Sequence, residues 1–336
     1  MVLDGFGRAI DYLRISLTDR CNLRCRYCMP IDGLHFAPEP ELLTAEEIQT
    51  VVQAAAGLGF RKVRLTGGEP TLRADVVDIT ARIKAVPGIR DVSMTTNAIR
   101  MPSLAMALKS AGLDRVNVHV DALAADRVAD LMRWGSADAL WAGVAACEAA
   151  GLAPIKLNVV VTRGYNDDPA ELAALAALSC SKPWTVRFIE LMPLGAGEES
   201  DFAIDHYVPN DRVRERIEAA LGPLLPVPNA DPSDEASNFR FAGAPGGVGF
   251  ISPVSAPYCG TCNRMRMTAD GRFHLCLLHD DELDVREVLR GDHPSANARR
   301  AAVAAVLERA VAAKPTGHAL RQGIYTELRR MHAIGG

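Results

Sequence analysis

Tyr12-Leu13-Arg14-Ile15-Ser16-Leu17-Thr18 is the stretch from which the architecture can be read. Leu13, Ile15 and Leu17 alternate with Arg14, Ser16 and Thr18, the period of a β-strand with one apolar and one polar face. The alternation returns along the chain. Val63 and Leu65 flank Arg64, Met94 lies between Ser93 and Thr95, and Val116, Val118 and Val120 alternate with Asn117, His119 and Asp121. Ile155, Leu157 and Val159 alternate with Lys156 and Asn158, and Arg187 sits between Val186 and Phe188. Predicted strands therefore cover 12–17, 62–66, 91–95, 115–120, 154–161 and 185–190.

Helical patterns separate most of these strands. Thr44 and Glu47 form a capping box ahead of an apolar stripe of Ile48, Val51, Val52, Ala55 and Leu58, which Gly59 stops. Ser136 and Gly151 bracket a second helix with Leu140, Val144 and Cys147 on one side. Six βα units predict a parallel sheet, either doubly wound or curled into a partial barrel. A parallel sheet covered on both faces would be almost uniformly apolar. Here the polar parity holds Arg14, Arg64, Lys156 and Arg187, which favours an α/β partial (βα)6 TIM-like barrel with a polar lumen. An antiparallel sheet with one wet face is the competing reading, and the intervening helices weigh against it.

Residues 222–247 are rich in Pro, Gly, Asn and Asp without a clear period and read as a linker or loop. Strand-like pieces follow at 248–252, 264–269 and 272–276, with Asp270-Gly271 as a hairpin signal, and an alanine-rich helix spans 296–313. The expected division is thus 1–222 for the barrel and 223–336 for a C-terminal region. The length of 336 residues suits a barrel with an appended unit. A net charge of −4 argues against a general nucleic-acid binder, so any anion site must be a local basic cluster. No apolar run approaches a membrane span, and the start Met1-Val2-Leu3-Asp4-Gly5 lacks the pattern of a signal peptide, so a cytoplasmic location is expected.

The eight cysteines are not expected to form disulfides in that compartment. Cys21, Cys25 and Cys28 form C-x3-C-x2-C just beyond the first strand, where a barrel carries its active-site loops. Three thiolates on one loop suit a 4Fe–4S cluster with one iron open, with zinc or a redox dithiol as alternatives. Cys259, Cys262 and Cys276 form a second triplet beside Arg264 and Arg266. They suit another site-open cluster facing an anion, or a zinc ribbon if His274 or His279 supplied a fourth ligand. Cys147 reads as core and Cys180 as incidental.

The first triplet, with Tyr27 before its last cysteine, resembles the motif of the radical S-adenosylmethionine superfamily, and Thr66-Gly67-Gly68-Glu69-Pro70 looks like that superfamily's GGEP segment. Two glycines allow close backbone approach, and exposed carbonyls with Glu69 suit an ammonium group. Over essentially the whole chain the sequence resembles the GTP 3′,8-cyclase (MoaA) family. The supporting segments include Asp11-Tyr12-Leu13-Arg14, Thr95-Thr96-Asn97, Asn117-Val118-His119-Val120-Asp121, Lys156-Leu157-Asn158, Arg187-Phe188-Ile189-Glu190 and the terminal Gly335-Gly336.

The resemblance implies two 4Fe–4S clusters, held by Cys21, Cys25 and Cys28 and by Cys259, Cys262 and Cys276. It implies S-adenosylmethionine contacts at Tyr27, Gly68, His119 and Met192, and GTP contacts at Arg14, Arg64, Thr95, Lys156, Arg264, Met265 and Arg266. Arg14, Arg264, Arg266, Gly335 and Gly336 are the residues it implies for catalysis. His119 stands where a serine is usual, and Ala98 where a glycine is usual. The implied reaction begins with hydrogen abstraction from the ribose 3′ carbon of GTP by a 5′-deoxyadenosyl radical and closes a bond to guanine carbon 8. An external electron donor, a homodimer and a downstream cyclic pyranopterin monophosphate synthase are the expected partners, with no nucleic acid and no membrane. A two-cluster enzyme that modifies peptides, usually richer in C-terminal cysteines, and a non-catalytic zinc or redox module are the competing functions.

Overall fold

The computed structural model describes residues 2–195, 197–320, 323 and 326–335. The chain opens with a short antiparallel pair, β1 (Val2–Leu3) and β2 (Ala9–Ile10). The βα series follows as β3 (Tyr12–Ser16), α1 (Ala45–Gly57), β4 (Lys62–Thr66), α2 (Val76–Lys84), β5 (Asp91–Thr96), α3 (Met101–Ser110) and β6 (Arg115–His119). It continues through α4 (Ala125–Leu131), α5 (Ala137–Ala149), β7 (Lys156–Val161), α6 (Pro169–Ser181), β8 (Thr185–Glu190), α7 (Glu198–Asp205) and α8 (Asn210–Leu221). The C-terminal part holds β9 (Leu225–Val227), β10 (Ala236–Arg240), β11 (Gly247–Ile251), β12 (Arg264–Met267), β13 (Arg272–His274) and β14 (Glu282–Asp284). Three helices, α9 (Arg286–Arg290), α10 (Ala296–Ala312) and α11 (Met331–Ile334), complete the described elements.

The predicted strands and caps are local features, and the fold keeps them. Thr44 and Glu47 form the reciprocal capping box of α1, and Ser136 caps α5. Beyond β1 and β2, the strands form one mixed sheet in the order β14-β13-β12-β3-β4-β5-β6-β7-β8-β11-β10-β9. From β12 to β11 every pairing is parallel, and antiparallel strands are added outside that block. The competing antiparallel reading is therefore excluded.

The C-terminal strands do not stand apart. β12 pairs with β3 and β11 with β8, so the sheet runs without a break past residue 222. The linker reading of 222–247 is corrected by the same sheet, because β9 and β10 lie in that stretch and pair antiparallel at its edge. Both are short, β9 is exposed and contains Pro226, and an edge strand tolerates proline because one row of its backbone groups has no partner. A three-residue strand on an exposed edge leaves no period to read.

The apolar parity is the core. Leu13, Ile15, Val63, Leu65, Val116, Val118, Leu157, Val186 and Phe188 belong to one buried cluster with Ile48, Val51 and Val52 of α1 and Leu172 of α6. Cys147 is fully buried in that cluster, and Cys180 is exposed. Ala98 adopts a left-handed φ of 62°. That geometry suits glycine better than alanine, which accounts for the glycine usual there.

A cavity lined by a cysteine triplet and buried arginines

The opposite parity faces a cavity lined by side chains from β3, β4, β5, β6, β7, β8, β11 and β12, which requires the sheet to curl around it. Register then sets the chemistry. Arg14 lies beside Arg64 on one side and Arg266 on the other, and Arg187 lies beside Asn158 and Gly249. Arg14, Arg64, Arg187, Arg264 and Arg266 are all buried. Burial and neighbouring guanidinium groups push Arg64 and Arg266 below their usual values, the mark of positive charge short of a counter-anion. Arg14 Nε, Arg187 Nε and Arg264 Nη2 are buried donors without a partner, as is the side chain of Asn117. A polyanion would satisfy both deficits.

Cys21, Cys25, Tyr27 and Cys28 line one part of this cavity. Burial pushes the Cys21 thiol up to about 11 and Cys25 well above its usual range, with the Asp121 carboxylate adding to the effect on Cys25. Such thiols ionise only against a strong cationic centre. Among the described residues no three His, Cys, Asp or Glu side chains converge tightly enough for one metal ion.

Backbone packing holds the first loop. Gly68 N donates to the Thr18 carbonyl at 2.6 Å and Glu69 N to the Arg20 carbonyl at 2.8 Å. A Cβ on Gly67 would lie 2.5 Å from the Thr18 oxygen, and one on Gly68 would overlap the Arg20 carbonyl. Gly68→Ala must therefore displace the loop that leads into Cys21. We expect Gly68→Ala to cost about 1–3 kcal/mol of stability, the scale of forcing an extra carbon into packed structure. Denaturant unfolding checks it, and wild-type stability would refute the packing argument.

Glu69 is spoken for by the protein. Its carboxylate accepts from Thr71 N at 3.0 Å, Thr71 Oγ1 at 2.6 Å, Thr96 Oγ1 at 2.7 Å and Asn97 N at 2.7 Å. Its structural task is to tie the β4 and β5 loops together. His119 lines the cavity, and its Nε2 lies 2.8 Å from Asp121 Oδ2 and hydrogen-bonds the Tyr27 hydroxyl. Tyr27 also donates to Asp121 Oδ2 at 2.7 Å. Burial opposes a charge on His119, but the buried Asp121 carboxylate outweighs it and raises the pKa. Gly68, Thr95 and Met192 line the same cavity.

Lys156 and Met265 do not line this cavity. Lys156 borders a separate cavity with Asp234 and Arg240, still within the influence of the Arg187 and Arg64 charges. Met265 is fully buried in the apolar core.

The second triplet follows β11 and brackets β12. Burial opposes ionisation of Cys262, but the charges of Arg264 and Lys314 hold it down at about 6, ready to bind metal. Lys314 is buried and donates to the Leu275 carbonyl at 2.8 Å. His274 Nδ1 pairs with Glu282 at 3.1 Å, and His279 Nε2 lies 3.2 Å from the Gly317 carbonyl.

The C-terminal tail enters the cavity wall. Arg329 pairs with Asp270 at 3.0 Å and with Glu282 at 2.5 Å, and Arg330 with Glu199 at 3.5 Å. Gly335 has a φ of 79°, and its carbonyl accepts from Arg266 Nη1 at 2.5 Å. Gly336 lies outside the described residues.

Sequence reasoning missed Glu235, Lys314 and the Asp121 link. Glu235 stands at the centre of the arginine group and accepts from Arg14 at 3.1 Å and from Arg264. Its carboxyl is held well below the usual range, despite burial, by Arg14, Arg264, Arg187 and Arg64. The one available clue was the acidic run Asp231, Asp234 and Glu235 in a stretch read as linker.

Comparisons with known proteins agree with this geometry. Residues 15–176 match the family model of the Radical SAM superfamily, and residues 184–320 match that of Molybdenum Cofactor Synthesis C. The chain is 45% identical over 333 residues to the GTP 3′,8-cyclase of Moorella thermoacetica, covering 99% of each chain. It is equally identical, over the same span and shares, to the GTP 3′,8-cyclase of Pelotomaculum thermopropionicum. In fold it is similar to the crystal structure of Streptococcus suis SuiB bound to S-adenosylmethionine, with a TM-score of 0.58 and 12% identity over 87% of this chain and 68% of that one.

Proposed function

The chain belongs to the GTP 3′,8-cyclase family of the radical S-adenosylmethionine superfamily, and from that premise we propose how its residues divide the work. The established part is the reaction. The enzyme cyclises GTP to (8S)-3′,8-cyclo-7,8-dihydroguanosine 5′-triphosphate, the first step of molybdenum-cofactor biosynthesis, using two 4Fe–4S clusters and S-adenosylmethionine.

Cys21, Cys25 and Cys28 hold the first cluster, and Cys259, Cys262 and Cys276 hold the second in the C-terminal extension. When bound, the clusters and S-adenosylmethionine supply the electron and the carbon radical that start the reaction. The chain supplies binding and orientation. Tyr27, Gly68, His119 and Met192 surround S-adenosylmethionine. Arg14, Arg64, Thr95, Lys156 and the Arg264–Arg266 strand would receive GTP. Arg14, Arg266, Gly335 and Gly336 keep the nucleotide in its reacting pose. The carrying observation is that Cys21, Cys25 and Cys28 share one cavity with Arg14, Arg64, Arg264 and Arg266.

The division into 1–222 for the barrel and 223–336 for the second-cluster region is retained as a functional one, since the sheet is shared. An external one-electron donor, a homodimer and a cyclic pyranopterin monophosphate synthase that takes the product onward complete the proposal. We place the reaction in the cytoplasm; no described helix is long and apolar enough to cross a membrane.

The test is nucleotide binding. Arg14→Ala should weaken GTP on the order of 100-fold, since removing one partner of a desolvated charge pair costs that much. Lys156 gives an independent readout. Burial, then the Arg187 charge, pushes its pKa down to about 7. A triphosphate beside it would favour the charged form. GTP binding should then take up close to one proton at about pH 8 and almost none at about pH 6, and affinity should fall as pH rises above about 7. Calorimetry in buffers of different ionisation enthalpy measures this. Lys156→Arg should abolish the uptake while keeping affinity, and unchanged uptake would remove Lys156 from the phosphate site.

A further inference from the structure

Between β9 and β10, five residues carry three carboxylates, Asp231, Asp234 and Glu235. Each is engaged with a cation on the polar parity of the sheet. Asp231 pairs with Lys62 of β4. Asp234 pairs with Arg187 of β8 at 3.5 Å. Glu235 pairs with Arg14 at 3.1 Å, Arg187 at 3.5 Å, Arg64 at 4.0 Å and Arg264. The side chain of Glu235 is 11% exposed and that of Arg187 only 2%.

The turn itself is braced locally. Asp231 Oδ1 accepts from Ser233 N at 2.9 Å and Ser233 Oγ at 2.6 Å, and Asp234 N donates to the Asp231 carbonyl at 3.0 Å. The segment is thus a self-contained turn fastened to the lumen by charge. Of its flanking strands, β9 is the exposed edge of the sheet and β10 is the next one in, so the segment hangs on the sheet's last two strands, where local opening costs least. A carboxylate among guanidinium groups makes the same charge-assisted bonds that a phosphate makes. The two cannot use the same donors at once.

We propose that Asp231–Glu235 is an intramolecular competitor of the substrate's phosphates, seated on the lumen cations in the free enzyme and expelled when a polyphosphate enters. This rests on the reading that those cations bind the phosphates of GTP. The resident carboxylates keep the buried arginines paired, since an unpaired buried charge is strongly destabilising. The cost falls on binding, because the apparent affinity is reduced by the fraction of molecules with the segment displaced.

The experiment uses the reconstituted two-cluster enzyme without reductant. Glu235→Gln should bind GTP about tenfold more tightly than wild type by calorimetry, the gain expected when an open fraction near a tenth becomes dominant. In wild type, GTP should speed hydrogen exchange at the backbone amides of 233–236. Inorganic tripolyphosphate should do the same, and guanosine should not. Should Glu235→Gln fail to fold, Asp231→Asn loosens the same turn from its solvent-facing side and should also tighten GTP. Weaker or unchanged GTP binding in the folded variants, or a segment that stays protected with GTP bound, overturns the proposal even if Arg14→Ala loses GTP. If Arg14→Ala binds GTP as wild type does and tripolyphosphate leaves the segment protected, the phosphate reading itself fails and the competitor with it.

Discussion

Cys25→Ala should abolish reductive cleavage of S-adenosylmethionine, to background, while Cys262→Ala should leave cleavage running and stop cyclisation. Cys25 is the buried member of its triplet, and alanine offers no donor in its place. A cluster that reserves one iron for S-adenosylmethionine has three protein thiolates and no spare. Cys262 is not among the residues that line the cavity with the first triplet, and its charged neighbours are Arg264 and Lys314. Wild type should hold about eight irons per chain after reconstitution, and Cys262→Ala about half of that. Iron and sulfide analysis, electron paramagnetic resonance, and separate quantification of 5′-deoxyadenosine and the cyclic nucleotide check each part. Wild-type cyclisation by Cys262→Ala, or about four irons in fully reconstituted wild type, would overturn the two-cluster assignment.

Deleting Gly335 and Gly336 should lower formation of the cyclic nucleotide by on the order of 100-fold or more, the scale of losing a positioning contact, with both clusters and S-adenosylmethionine cleavage retained. The Gly335 carbonyl accepts from Arg266 Nη1, so the tail fixes one of the guanidinium groups assigned to GTP. Arg329 and Arg330 anchor the chain ahead of it, and Ile334 is buried, which is not how a frayed end behaves. Gly335 also has no room for a side chain: its φ is 79° and a Cβ would overlap Thr66. Gly335→Ala should therefore reproduce much of the deletion. A short peptide ending in the native sequence should restore part of the product to the truncated enzyme. Cyclisation at the wild-type rate after truncation would reduce the tail to an ordinary terminus.

Strands, their two faces and the helix caps are legible in the chain before it folds, because each depends on residues a few positions apart. Alternation in 12–18 predicts that Arg14 and Ser16 share a face, and β3 keeps it. Thr44 and Glu47 announce α1 because a capping box closes within one turn. The cysteine triplets were equally legible, since Cys21, Cys25 and Cys28 come from one loop. Which charges meet emerges only in the folded chain. Glu235 reaches Arg14 across 221 residues, and Arg266 finds Gly335 across 69. Register placed Met265 in the core between two arginines that face the cavity, and Lys156 borders a neighbouring one. The strands in 222–247 were illegible because β9 is held by β10 and β10 by β11, not by a pattern of their own. Period and capping are properties of a short peptide, whereas an ion pair between distant segments exists only once the sheet has brought them together.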